Sequence, residues 1–223
     1  WLSAKATDIR LRAPETYSIH KNVIDFGRDH SPDGIPARAI GLNRATLAIM
    51  RWAMQSYRRF QMLIRLVGTW GVAAQLDLLP CWASAAFFTM RLTSTSPSLK
   101  EHTLQLLKAG QNIQRFWLEA SRLGLAMQPA LAVLAFSHYG DCKLDFTIKQ
   151  SLCRKSRKLA TALKKIIGVN TEEVIFLGRI GEPYLRLPLY RSTRRGLTQL
   201  ITRNIMDIND RSHSNVIRSE REL

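Results

Sequence analysis

From residue 44 to 67, apolar side chains return at spacings of three and four: Leu47, Met50, Met54, Tyr57, Phe60, Ile64 and Val67. That period predicts one amphipathic helix, capped by Asn43 and stopped at Gly68. A second helix is expected after Pro97. "SLKE" (98–101) has the form of a capping box, and Leu99, Leu106, Ile113, Phe116, Trp117, Ala120 and Leu123 lie on one face up to the stop at Gly124. A third runs from about Leu152 to Ile167, with Lys and Arg on most outward positions and Gly168 as its stop. Two stretches read as strands, 84–95 ("SAAFFTMRLTST") and 172–181 ("EEVIFLGRIG"), because both gather aromatic, Thr or β-branched residues.

The rest of the pattern is less regular. Residues 1–43 read as mixed and loop-rich, and 30–43 holds two prolines and two glycines, which predicts a turn-dominated connection. "PALAVLAF" (129–136) is a short apolar element of open type. The apolar stretch 67–88 contains Gln75, Asp77 and Pro80, a combination that a membrane helix avoids, so a buried segment and no membrane partner are expected. A last amphipathic piece carries Leu197, Leu200, Ile201 and Ile205, and a polar tail follows. One domain over residues 1–205 and a tail over 206–223 are expected. The chain opens at Trp1 without Met, so it reads as a fragment of something longer.

Charge adds a constraint on partners. Lys and Arg number 33 against 17 Asp and Glu, a net +16, which suits phosphorylated or otherwise anionic ligands, nucleic acid, or an acidic protein surface. Arg44, Arg51, Arg58 and Arg65 recur every seven residues, either as a solvated face or as an anion-facing stripe. Three cysteines at irregular spacing argue against a disulfide framework and for a reducing compartment, hence a cytoplasmic location.

Protein-borne chemistry is sparse. There is no GxSxG, Walker or GxGxxG motif, and no histidines at metal-ligand spacing. His138 and Cys142 stand four apart, two groups where zinc needs three or four. No catalytic residue stands out, so any reaction would belong to a bound cofactor.

The order of strand 84–95, helix "GQNIQRFWLEASRLGL", "AMQPALA", strand "VIFLGRIG" and basic turn "PLYRSTRRGL" resembles the later part of the nitroreductase-like FMN-dependent flavoprotein family, over residues 84–197. "SIHKNVIDFG" and "MRWAMQSYRR" are similar to divergent members joined to an adenylating domain of the ubiquitin-activating type. The resemblance implies an α+β fold with a central, mostly antiparallel sheet flanked by helices. It implies FMN as cofactor, NAD(P)H as electron donor and a homodimer, with an adenylating-enzyme domain as a partner in the full-length protein. By position, Gln128, Pro129, Ala130 and Leu131 would line the flavin, a backbone N–H near Leu131 or Ala132 would approach N5, and Arg194 and Arg195 would meet the phosphate.

Two family segments are missing: Arg-x-Ser-x-Arg, which holds the phosphate, and Pro-Ser-x-x-Asn-x-Gln-Pro-Trp near the ring. Either they precede Trp1 or this branch has lost flavin. The expected function is therefore hydride transfer through FMN to an organic acceptor. The alternatives are a flavin-free dimerisation or partner-binding domain, and a basic nucleic-acid binder, which no recognised motif favours.

Overall fold

The computed structural model describes residues 1–92, 98–168, 173–183, 190–194 and 196. It is an α+β protein. Helices α1 (Leu2–Arg12), α8 (Leu131–Asp141) and α9 (Gln150–Ile167) pack on one another around the main core. Ala6 and Ile9 of α1, with Ala13 just after it, meet Val133 and Phe136 of α8 and Leu152, Leu159 and Leu163 of α9. The buried positions of α9, at 152, 153, 156, 159, 160 and 163, keep the three-and-four spacing that the sequence pattern predicted. Its outward Lys and Arg stay in water, as expected for a helix with one buried stripe.

The sheet is small and antiparallel. Strand β6 (Val174–Gly181) lies between β4 (Ala86–Arg91) and β5 (Ala126–Pro129), with Phe88, Gly178 and Pro129 in one cross-strand row and Phe87, Arg179 and Gln128 in the next. Alternate rows face opposite sides. On one side Phe88 and Phe176 pack against Phe116 and Trp117 of α7 (Leu99–Arg122), with ring centroids 4.9 to 6.4 Å apart. On the other, Leu177 packs against the helical core. Gly178 makes room for the first arrangement, since a Cβ there would fall 2.9 Å from Phe88.

Several elements differ from the sequence reading. Residues 1–43 are not loop-rich: α1 is followed by α2 (Glu15–Val23). Ala6, Ile9 and Ala13 mark a narrow buried stripe of mostly small side chains, too weak in hydrophobicity to stand out. The 30–43 connection carries two-residue strands β2 (His30–Ser31) and β3 (Ile35–Pro36) and a 3₁₀ turn; β3 pairs with β1 (Ile24–Asp25), and β2 with β7 (Arg191–Ser192). The helix expected over 44–67 is two, α3 (Arg44–Ala53) and α4 (Tyr57–Leu66). The break lets Met54 and Phe60 both reach a second core with Leu11, Tyr17 and Phe26, and the Tyr17 hydroxyl donates to the freed Met54 carbonyl at 2.9 Å. Asn43 caps α3 as predicted, accepting from Thr46 N–H at 2.8 Å. The predicted stops Gly68, Gly124 and Gly168 all take left-handed φ.

"PALAVLAF" resolves as β5's last residue and the start of α8. The stretch expected to be buried, 67–88, is instead a helical run through α5 (Trp70–Ala73), a π turn and α6 (Leu79–Trp82), and Trp70 and Trp82 are 71% and 86% exposed. Ala73 is buried and Leu76 and Leu78 are half-buried, so the run is part core-facing and part open surface. Likewise Leu99 of α7 and Leu123 at its C-terminal cap are exposed, and the buried residues of that helix are Ala109 and Ala120. No single helix among the described residues is long and apolar enough to cross a membrane; Tyr57–Leu66 and Trp70–Trp82 reach that composition together but are bent by 83°. The strand residues 93–95, the piece 197–205 and the tail 206–223 lie outside the described residues.

The α8–α9 contact is tight enough to test. A Cβ on Gly140 would stand 2.5 Å from the Ser156 carbonyl oxygen and 2.8 Å from the Arg157 nitrogen, both backbone. Gly140→Ala gains about 1 kcal/mol of helix propensity, but forcing the helices apart costs about 1–3 kcal/mol. Urea denaturation should show a net loss of stability; an unchanged or raised midpoint would mean that the helices do not approach this closely.

Candidate functional site

The sheet row Phe87–Arg179–Gln128 opens into a cavity of about 700 Å³. Its walls come from α1 (Ser3, Thr7, Arg10), the connection 35–41, the π turn (Gln75, Leu76, Asp77), Pro80 and Cys81 of α6, and the β5–α8 junction from Gln128 to Val133. That size lies within the range of small-molecule sites, about 300–1,000 Å³. The lining is mixed. Ile35, Ile40, Leu76, Phe87, Leu131 and Val133 are apolar, while Arg10, Asp77, Arg179 and Gln128 are polar or charged.

Some polar groups are already committed. Arg179 donates to the Pro80 carbonyl at 2.6 Å and to Ser84 Oγ at 3.1 Å, which ties β6 to the end of α6. Gln75 accepts from Asn43 N–H and donates to Thr46 Oγ1, both at 3.0 Å. Others are not. The buried Arg10 Nε and Asp77 Oδ2 have no hydrogen-bond partner, although Arg10 reaches Thr7 Oγ1 at 3.5 Å. Burial raises the Asp77 carboxyl above its ordinary value, against a hydrogen bond from Thr7 and the nearby Arg10 charge. Burial lowers the Arg10 guanidinium, against Asp77. A cavity wall with an orphaned donor and an orphaned acceptor is incomplete without a polar ligand or water.

The β5–α8 junction brings backbone donors to the same cavity. Ala130 N–H is used, bonding to Leu177 at 2.8 Å, and Val133 N–H bonds to the Ala130 carbonyl at 3.1 Å. Leu131 and Ala132 are the first two residues of α8, where N–H groups have no intrahelical acceptor, and the cap residue Ala130 supplies no side chain to them. Both residues line the cavity.

Four of the six residues proposed from sequence, Gln128, Pro129, Ala130 and Leu131, therefore share one wall. Arg194 is exposed and is not among the described residues of that wall; Arg195 lies outside the described residues. Sequence reasoning missed Arg10, Asp77, Phe87 and Arg179. No local motif marks them, and only the pairing of β4, β6 and β5 and the docking of α1 put them together. His138 and Cys142 do approach, Sγ to ring nitrogen 3.7 Å, but no three His, Cys, Asp or Glu among the described residues cluster as a metal site.

Comparison with family models, with curated proteins and with solved structures finds no match for this chain.

His20 gives a pH test of the surroundings of Arg10. Burial and then the Arg10 charge depress its pKa from 6.5 to about 4, and its buried Nδ1 has no partner. The folded pKa lies below the unfolded one, so the unfolded chain binds the proton more readily. Stability from neutral His20 is complete above pH 6.5 and is lost as pH falls from 6.5 through about 4. Urea midpoints measured across that window should fall in the wild type, and the His20→Gln variant should lack this component; equal slopes would place His20 in water.

Proposed function

We propose that this chain is a nitroreductase-type flavoprotein that holds the ring of FMN in the cavity beside residues 128–132. One observation carries the reading: the residues that the family resemblance assigns to the flavin, Gln128 to Leu131, are contiguous in one wall of a cavity large enough for a flavin ring. The unpaired groups suit that ligand. A flavin's pyrimidine edge offers both carbonyl acceptors for Arg10 and an N–H for Asp77. Phe87 and Leu131 give apolar surface for the flat part of the ring.

Bound FMN would accept hydride from NAD(P)H and pass it to an organic acceptor. The chain's own contribution is placement and electrostatics. The N–H groups of Leu131 and Ala132 sit at the positive end of α8 and favour electron density that builds on a ring nitrogen beside them. Arg10 favours negative charge at the far edge. The half-apolar wall excludes water from the reacting face.

In this reading the exposed apolar residues of α7 meet a second copy of the chain. Leu107 and Leu118 are 61% and 60% exposed and belong to a helix whose other side holds the sheet aromatics. An adenylating-enzyme domain as a neighbour in a longer protein, and the nature of the acceptor, belong to the same proposal.

Purified protein mixed with FMN should turn yellow and retain flavin on gel filtration. Leu131→Pro is the informative variant. Proline is accommodated in the first helical turn, yet it removes the N–H assigned to the flavin. FMN should still bind, while hydride transfer from NAD(P)H falls by about 10²-fold, the usual effect of losing one such donor. A chain that keeps no flavin after free FMN is removed by gel filtration overturns the proposal and favours the flavin-free dimerisation domain. The pairing is checked separately by light scattering: Leu118→Glu should shift dimer to monomer, and a monomeric wild type sinks the interface.

A further inference from the structure

A second cavity, of about 310 Å³, lies on the far side of α1, between the end of that helix, α4 and the start of α9. Its body is apolar and aromatic: Leu11, Tyr57, Phe60, Ile64 and Leu152. Its rim is cationic, formed by Arg12, Arg65, Lys149 and Lys155. Asp8 offsets part of that charge. It accepts from Arg12 Nε, Lys155 Nζ and Thr69 Oγ1, each at 2.6 Å; burial raises the Asp8 carboxyl, but these bonds outweigh it and hold the group at about 2. Asp8 is thus ionised at neutral pH and engaged with two of the four cations.

The other two form no ion pair among the described residues. Lys149 Nζ donates to the Arg12 carbonyl at 2.9 Å, a neutral partner, and its charge also acts on the Glu15 carboxylate, which accepts from Thr147 Oγ1 and Ile148 N–H. Arg65 is exposed and forms no ion pair among the described residues. Apolar walls exclude water from a ligand's body, and a charged rim fixes its head. An anion whose ring fills the space between Tyr57, Phe60 and Leu152 would place its charged group between Arg65 and Lys149, where arginine offers a two-pronged contact to carboxylate oxygens.

We infer that this cavity is a second binding site, distinct from the one beside Gln128, for a small aromatic acid of one or two rings. The volume is at the lower end of ligand sites, about 300 Å³, which suits a compact ring system and not a long acyl chain. The inference does not depend on flavin binding.

The probe is 2-naphthoate, titrated calorimetrically into the full chain, with neutral 2-naphthamide as the isosteric control. One naphthoate per chain should bind saturably, the amide at least about tenfold more weakly, the usual scale for a lost charged hydrogen bond. Arg65→Ala, a surface change that leaves the fold intact, should weaken naphthoate about tenfold and leave the amide alone; Lys149→Ala should do the same. FMN uptake, where it occurs, should be unaffected by either variant and should not compete with naphthoate. Equal affinity for acid and amide, indifference to Arg65→Ala, competition with FMN, or no saturation at millimolar naphthoate would each overturn the inference.

Discussion

The backbones of α8 and α9 pass so near one another at Gly140 and Ser156 that there is no room for a single methyl group between them. Ser156 is fully buried there and turns its hydroxyl back to the Cys153 carbonyl, so no polar atom of that side chain is left facing the neighbouring helix. With the two helices this close, Val133, Leu159 and Leu163 converge and leave a groove into which Ala6 and Ile9 of α1 fit. Burying each large side chain contributes about 1.5–3 kcal/mol, whereas exposed pairs such as Arg122–Glu119 are screened by water and contribute little. The packing of three helices, not the surface charge, holds the molecule together.

Both cavities follow from the way α1 is held. One side of α1 packs into the α8–α9 groove, while Thr7 and Arg10 face the sheet-side cavity and residues 11–13 border the other. Asp8 locks the helix in place by binding Lys155 of α9 and Thr69 at the entry to α5. The same carboxylate that ties three elements together leaves Lys149 and Arg65 as the rim cations that form no ion pair among the described residues. On the sheet side, Arg179 Nη1 donates to Pro80 and Ser84, while Arg10 Nε and Asp77 Oδ2 are buried atoms without a hydrogen-bond partner.

The high positive charge has a structural side. The cations of α9 stand on its solvent face, and those of α3 and α4 are exposed. Arg44, Arg51, Arg58 and Arg65 do not form one line, because the chain turns between Ala53 and Tyr57. Only Arg65 of the four borders the naphthoate-sized cavity.

The amino-acid sequence determined α7 and α9, the glycine stops and strands β4 and β6, because those depend on local period and on glycine's access to left-handed φ at 68, 124 and 168. The family resemblance, and no local pattern, singled out Gln128 to Leu131, which the fold places together in one cavity wall. The sequence pattern misjudged α1, whose buried stripe is mostly small side chains, and the 67–88 run, whose tryptophans are exposed. It also joined α3 to α4, because the period continues in phase across a turn that only the second core requires. Arg10, Asp77, Phe87 and Arg179 come from four separate segments, and Leu11, Phe60 and Leu152 from three. Strand register and helix docking decided which of these side chains meet, and neither is written in any short stretch of residues.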